Sequence, residues 1–100
     1  DVPYVKARAH RGLGNVYYAE GKKEEAVRSY MFVTILFDDE LVPELLLKAA
    51  RIWQELGKEE NMKETLSEFI ERFPDHEKVG EAKALRAEIE NDRDATAQEG

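Results

Sequence analysis

Seven positions of the chain recur at one fixed distance. Leu13, Gly14, Tyr17, Gly21, Ala26, Tyr30 and Val33 align with Ala49, Ala50, Trp53, Gly57, Met62, Leu66 and Phe69, each pair 36 residues apart. A period of this length marks stacked supersecondary units that cannot bury their apolar faces alone. The small, aromatic and glycine positions of the pattern read as a helix contact, a space filler and a helix stop. Ala, Leu, Glu, Lys and Arg dominate and there are only three prolines, so the units are predicted to be helical. No Val/Ile/Thr stretch alternates with period two, so no strand is predicted. The fold class that follows is an all-α helical repeat of five helices.

The local signals place those helices. Pro3 can open the first, which runs from Tyr4 to Glu20 with a stripe of Val5, Ala9, Leu13, Val16 and Tyr17. Gly21 ends it. Glu24 and Glu25 then sit in the first turn of a second helix, where the dipole favours carboxylates. Its stripe is Ala26, Val27, Tyr30, Val33, Ile35 and Phe37, and Asp38-Asp39 breaks it. Pro43 lies in the first turn of a third helix, where its missing N–H costs nothing. That helix turns Leu45, Leu46, Ala49, Ala50, Trp53 and Leu56 inward and stops at Gly57. A fourth, from about Glu59 to Phe73, buries Met62, Leu66, Phe69, Ile70 and Phe73, and a last one, from about Glu77 to Asn91, buries Val79, Ala82, Leu85 and Ile89. Short connections turn each helix antiparallel to the one before. Residues 1–92 form a single domain on this reading, with repeat one at about 4–37, repeat two at about 40–73 and a capping helix at about 77–91. Residues 93–100 are polar without a stripe and are expected to be a disordered tail.

The repeat resembles the tetratricopeptide repeat (TPR) family, whose pattern runs large residue, Leu, Gly, Tyr, then Gly at the turn, Ala, aromatic, small residue and Pro. The first unit matches at Leu13, Gly14, Tyr17, Gly21, Ala26 and Tyr30, and departs at His10, Val33 and Asp38. The second keeps Trp53, Gly57 and Pro74 but carries Ala50, Met62 and Phe69 where smaller residues are usual. The family repeat is usually 34 residues, so two extra residues are expected in the loop near 38–43. FIERFPDHEKVGEAKAL also resembles repeats of bacterial cell-envelope proteins of the TolA-binding and outer-membrane assembly lipoprotein type. The resemblance implies an α-solenoid that serves as a scaffold or peptide-binding module. Asp1-Val2-Pro3 falls about where a preceding unit would end, so a segment of a longer array, or a mature form trimmed from one, is expected. The last helix lacks the Leu-Gly pair and the aromatic and reads as a polar cap.

Composition narrows the function classes. One hundred residues suffice for one small domain. The formal charge of −7 argues against a nucleic-acid partner, and no apolar run reaches membrane-spanning length. The absence of cysteine removes disulfides and thiol chemistry and leaves the compartment open between cytoplasm and bacterial periplasm.

Candidate chemistry is thin. Gly12-Leu13-Gly14 lacks the third glycine and the preceding strand of a dinucleotide loop, and Gly21-Lys22-Lys23 lacks the hydroxyl of a Walker loop. His10 and His76 lie in different units with no second ligand at metal spacing, and His10 reads as structural. The carboxylate pairs Glu24/Glu25, Asp38/Asp39 and Glu59/Glu60 sit at helix starts or loops, where capping explains them. The chain is therefore read as non-enzymatic, without cofactor or metal.

The face of the first helix in each unit is the sharper candidate. Arg8, Arg11, Asn15 and Tyr18 share one face of helix one, and Glu44, Lys48, Arg51 and Glu55 share one face of helix three. Partner contact is expected at Arg8, Arg11, Asn15, Tyr18, Lys48, Arg51 and Gln54. Such a set suits an acidic peptide or a C-terminal carboxylate. The resemblance adds that family members clamping a terminal carboxylate use a basic residue and an Asn one turn later, which Arg11 and Asn15 match. Lys48 stands where such a clamp usually has Asn. Two alternatives stay open: solvated charges on an exposed face, and a structural or self-assembly segment forming a homo-oligomer, with Val79, Ala82 and Leu85 as the stacking edge.

Overall fold

The structure is a computed structural model that describes residues 2–38 and 40–99, with side chains to residue 91. Asp1, Gly100 and Asp39, half of the expected helix break, lie outside the described residues. Five helices follow in chain order: α1 (Val2–Ala19), α2 (Lys23–Leu36), α3 (Val42–Glu55), α4 (Glu59–Arg72) and α5 (Val79–Glu99). There is no strand among the described residues. Each helix packs on its chain neighbours, giving a slab of 52 × 33 × 17 Å. No described helix is long and apolar enough to cross a membrane. The fold is all-α and TPR-like, as the repeat predicts.

The two turns that close the helix pairs are built alike. Gly21 has φ of 80° and Gly57 has φ of 72°, a region that costs an L side chain about 1–2 kcal/mol. In the first turn the Lys22 N–H donates to the Tyr17 carbonyl at 2.8 Å and the Gly21 N–H to the Tyr18 carbonyl at 3.0 Å. Thirty-six residues on, the Lys58 N–H donates to the Trp53 carbonyl at 2.8 Å and the Gly57 N–H to the Gln54 carbonyl at 3.0 Å. This paired closure satisfies the last carbonyls of α1 and α3.

The core has two halves that meet on α3. Leu45, Ala49 and Ile52 pack with Ala7, Ala26, Val27, Tyr30 and Val33 of the first hairpin. Val42, Leu46 and Ala50 pack with Met62, Leu66 and Phe69 of α4 and with Ala82, Leu85 and Ile89 of α5. Trp53 touches both halves. Arg72 fastens the halves further: its Nη1 donates to the Thr34 carbonyl at 2.8 Å and to Glu68 at 2.7 Å. At Gly14 α1 and α2 come very close. A Cβ placed there would lie 2.6 Å from Tyr30 Cε1, so the glycine is what lets the aromatic ring pack against α1.

Four expectations need correction. Of the stripe assigned to helix one only Tyr17 packs on the core; Ala9 is exposed, as are Val5 (60 %), Leu13 (41 %) and Val16 (55 %), while α1 buries Ala7 and Gly14. The periodicity was real, but α1 carries two apolar faces, and the smaller residues are the ones that allow helices to approach. Ile35, expected inward on α2, is 68 % exposed, because it lies across the helix from Ala26, Tyr30 and Val33. Val79, Ala82 and Leu85, offered as a stacking edge, pack instead into the second half of the core. The last helix also continues to Glu99, past the expected end near Asn91; Ala95, Ala97 and Gln98 are good helix formers.

Candidate functional site

The first helices of the two hairpins carry the candidate residues, and Tyr30 of α2 packs on Gly14 of α1 beside them. A cavity of about 330 Å³ opens between α1, α2 and α3, lined by Asn15, Tyr18, Tyr30, Lys48, Arg51, Ile52 and Glu55. That is the small end of the range for ligand pockets, with room for a peptide side chain or terminus. Buried Tyr30 and Ile52 form an apolar floor.

Asn15, Tyr18, Lys48 and Arg51 are thus brought together as the sequence leads one to expect. Asn15 accepts a hydrogen bond from the Tyr30 hydroxyl through Oδ1. The acceptor end of the amide is thereby used, and its two N–H donors are left for another group. The Tyr18 hydroxyl donates to both oxygens of Glu55, at 2.7 and 3.0 Å, and Lys23 Nζ lies 3.2 Å from the same carboxylate. The Tyr18 hydroxyl above all holds the Glu55 carboxyl below the usual range; burial opposes it, and Lys23 adds to the lowering. The same bond to Glu55 pushes the Tyr18 phenol up. Burial, then the charge of Glu44, pushes the Tyr30 phenol up, while Arg11 pulls it down.

Two cations of this face have counter-charges within the chain. Lys48 Nζ is 3.7 Å from Glu44 and 5.7 Å from the Tyr30 ring centre, and Arg51 is 3.0 Å from Glu81 of α5. Arg11 is half-buried beside Tyr30 and makes no ion pair or hydrogen bond among the described residues. Arg11 does not line the cavity, and neither do the other two expected residues. Arg8 pairs with Glu40 at 3.1 Å and stacks 3.4 Å over Tyr4, and Gln54 is exposed and does not line it.

Three lining residues were not in the expected set. Tyr30 was read as a space filler, and it is one; only the distance from Gly14 to its ring shows that its hydroxyl reaches the α1 face. Glu55 shares its helix face with Lys48 and Arg51, a signal present in the sequence. Ile52 gave no signal beyond an apolar residue on α3. His10 stacks at 4.1 Å on Phe32, a packing role, and the His76 Nδ1 accepts the Lys78 N–H at 3.0 Å in the turn before α5.

A comparison with known protein families matches residues 44–76 to the tetratricopeptide repeat. The matched segment runs from the first turn of α3 through α4 to His76. No curated protein matches the chain. Tetratricopeptide repeats generally mediate protein–protein interactions and are typically non-catalytic. With α1 and α2 repeating the α3–α4 unit at an offset of 36 residues, down to the bonds of the closing turn, the chain is similar to the tetratricopeptide repeat family.

Proposed function

We propose that the chain is a non-catalytic interaction module that takes a peptide or partner segment into the groove between α1 and α3, and that the segment is acidic or ends in a free carboxylate. The observation that carries this reading is the single cavity lined by Asn15, Tyr18, Lys48 and Arg51 over an apolar floor. Arg11, without an ion pair among the described residues, and the N–H donors of Asn15 are one turn apart on α1 and suit a carboxylate. Lys48 and Arg51 are held by exposed ion pairs, each worth about 0–1 kcal/mol, so an incoming carboxylate can replace Glu44 and Glu81 at little cost. Glu55 keeps one wall negative and favours N–H or hydroxyl groups of the ligand there.

The test is a pull-down from the native host with Arg11→Glu and Arg51→Glu, followed by calorimetry on recovered peptides with free and amidated C-termini. Each reversal is expected to weaken binding about tenfold or more, which is about 1.4 kcal/mol. Unaltered recovery by both variants would move the site off this face. The likeness of FIERFPDHEKVGEAKAL to cell-envelope repeats makes periplasmic proteins the first partners to try. A second reading, self-assembly into a homo-oligomer, is favoured by the exposed apolar residues of α1 and α2.

A further inference from the structure

The two helices that wall the groove run the same way. Arg8, early in α1, meets Glu40 just before α3 at 3.1 Å, and Tyr18, late in α1, meets Glu55 at the end of α3 at 2.7 Å. The side chains along the groove can therefore be ranked by height, and their charges separate. Lower down stand Arg11 and Lys48, both beside Tyr30. At the top stands Glu55, bound by the Tyr18 hydroxyl. The floor between them is Ile52 and the ring of Tyr30, both buried. Arg51 is one turn before Glu55, but its guanidinium is drawn to Glu81 of α5 at 3.0 Å.

The field along the groove has the same sense. Both helix-closing turns lie at the Glu55 end, and residues 20–25 and 55–60 there carry three lysines and six glutamates. The C-termini of α1 and α3, the negative poles of their dipoles, point to that end as well. The cation now beside Glu55 is Lys23, at 3.2 Å. It is the first residue of α2, where the helix dipole opposes a positive charge, and an exposed pair of this kind is weak. A carboxylate offers about four lone-pair sites, so Glu55 can take a further donor or exchange Lys23 for it.

The distance between the two ends fixes a length. Arg11 to Tyr18, and Lys48 to Glu55, are each seven residues apart, which is about 10 Å along a helix. An extended peptide covers that span in about three residues, and its alternate side chains point the same way.

We infer that the groove selects a peptide whose terminal carboxylate lies at Arg11, Asn15 and Lys48, whose Lys or Arg three positions earlier meets Glu55, and whose next-to-last side chain is apolar and rests on the floor. This rests on the carboxylate reading of the groove and adds to it a direction, a length and a basic residue.

The probe is the acetylated hexapeptide AAKALA with a free C-terminus, followed by NMR titration of the isotope-labelled chain. Its controls are the C-terminal amide, AAEALA, and AALAKA, in which Lys and Leu change places at constant composition. AAKALA is expected to bind about tenfold or more tightly than AAEALA or AALAKA. Glu55→Gln, a change of similar size at an exposed position, should keep the helical circular dichroism and bring AAKALA and AAEALA to within about twofold of each other. Glu55→Lys should reverse the preference. If the free acid binds no better than the amide, or no peptide shifts the groove resonances, the carboxylate reading falls and this inference with it. If the free acid binds better than the amide, yet AAEALA or AALAKA binds as well as AAKALA, or the preference survives Glu55→Gln, the carboxylate reading stands and this inference is overturned.

Discussion

Gly14 and Tyr18 show how much single side chains on α1 decide. A methyl at Gly14 would meet the Tyr30 ring at 2.6 Å, and that ring is pinned at its far end by Asn15. Gly14→Ala is therefore expected to destabilise the fold by about 1–3 kcal/mol, as overpacking commonly does, and thermal unfolding would measure it. Tyr18 acts through charge instead. Its bond to Glu55 favours the carboxylate over the acid, so the contribution to stability is present above the ordinary pKa of a glutamate. It is lost as pH falls through the lower value of the folded state. On the phenol the sign reverses: the raised pKa makes the bond's contribution complete below the ordinary tyrosine value and lost as pH rises through the folded one. Tyr18→Phe should move the Glu55 titration, followed by carboxyl NMR, up toward the ordinary range. An unmoved Glu55 would mean that Lys23 alone holds it down.

At the scale of elements, the helix stops and α3 to α5 were legible, and α1 was not. Gly21 and Gly57 announce the two closures because only glycine is at ease at their positive φ. The stripes of α3, α4 and α5 face the core as their periods predict, because each has one dominant apolar set. α1 has two such sets, and periodicity cannot rank them. The face with larger residues looked like the core, while Ala7 and Gly14, which allow close packing on α2, are what the fold buries. The groove was legible in part: Asn15, Tyr18, Lys48 and Arg51 follow from helical spacing. The commitment of Arg8 to Glu40 depends on the loop before α3 and could not be read from spacing on α1. Phe69 offers a test of the element contacts, since it is fully buried among α3, α4 and α5. Phe69→Ala should cost about 3–5 kcal/mol, read by denaturant unfolding.

Over the whole molecule the two halves of the core share one helix, so they are expected to unfold together. Trp53 is the single tryptophan and touches both halves. Its fluorescence and the helical circular dichroism should give coincident unfolding curves, as two-state behaviour requires. A tryptophan transition that precedes the loss of helix would mean that the halves separate first.

The position of α3 has a consequence for anyone who would cut or graft this chain. By its sequence period the repeat breaks between α2 and α3, yet Leu45, Ala49 and Ile52 complete the core of the hairpin before them while Val42, Leu46 and Ala50 serve the one after. A fragment that stops at the loop would leave Val27, Tyr30 and Val33 facing water. The smallest transplantable piece is therefore three helices, and a shortened or lengthened version of the chain should borrow the first helix of the next unit as its lid.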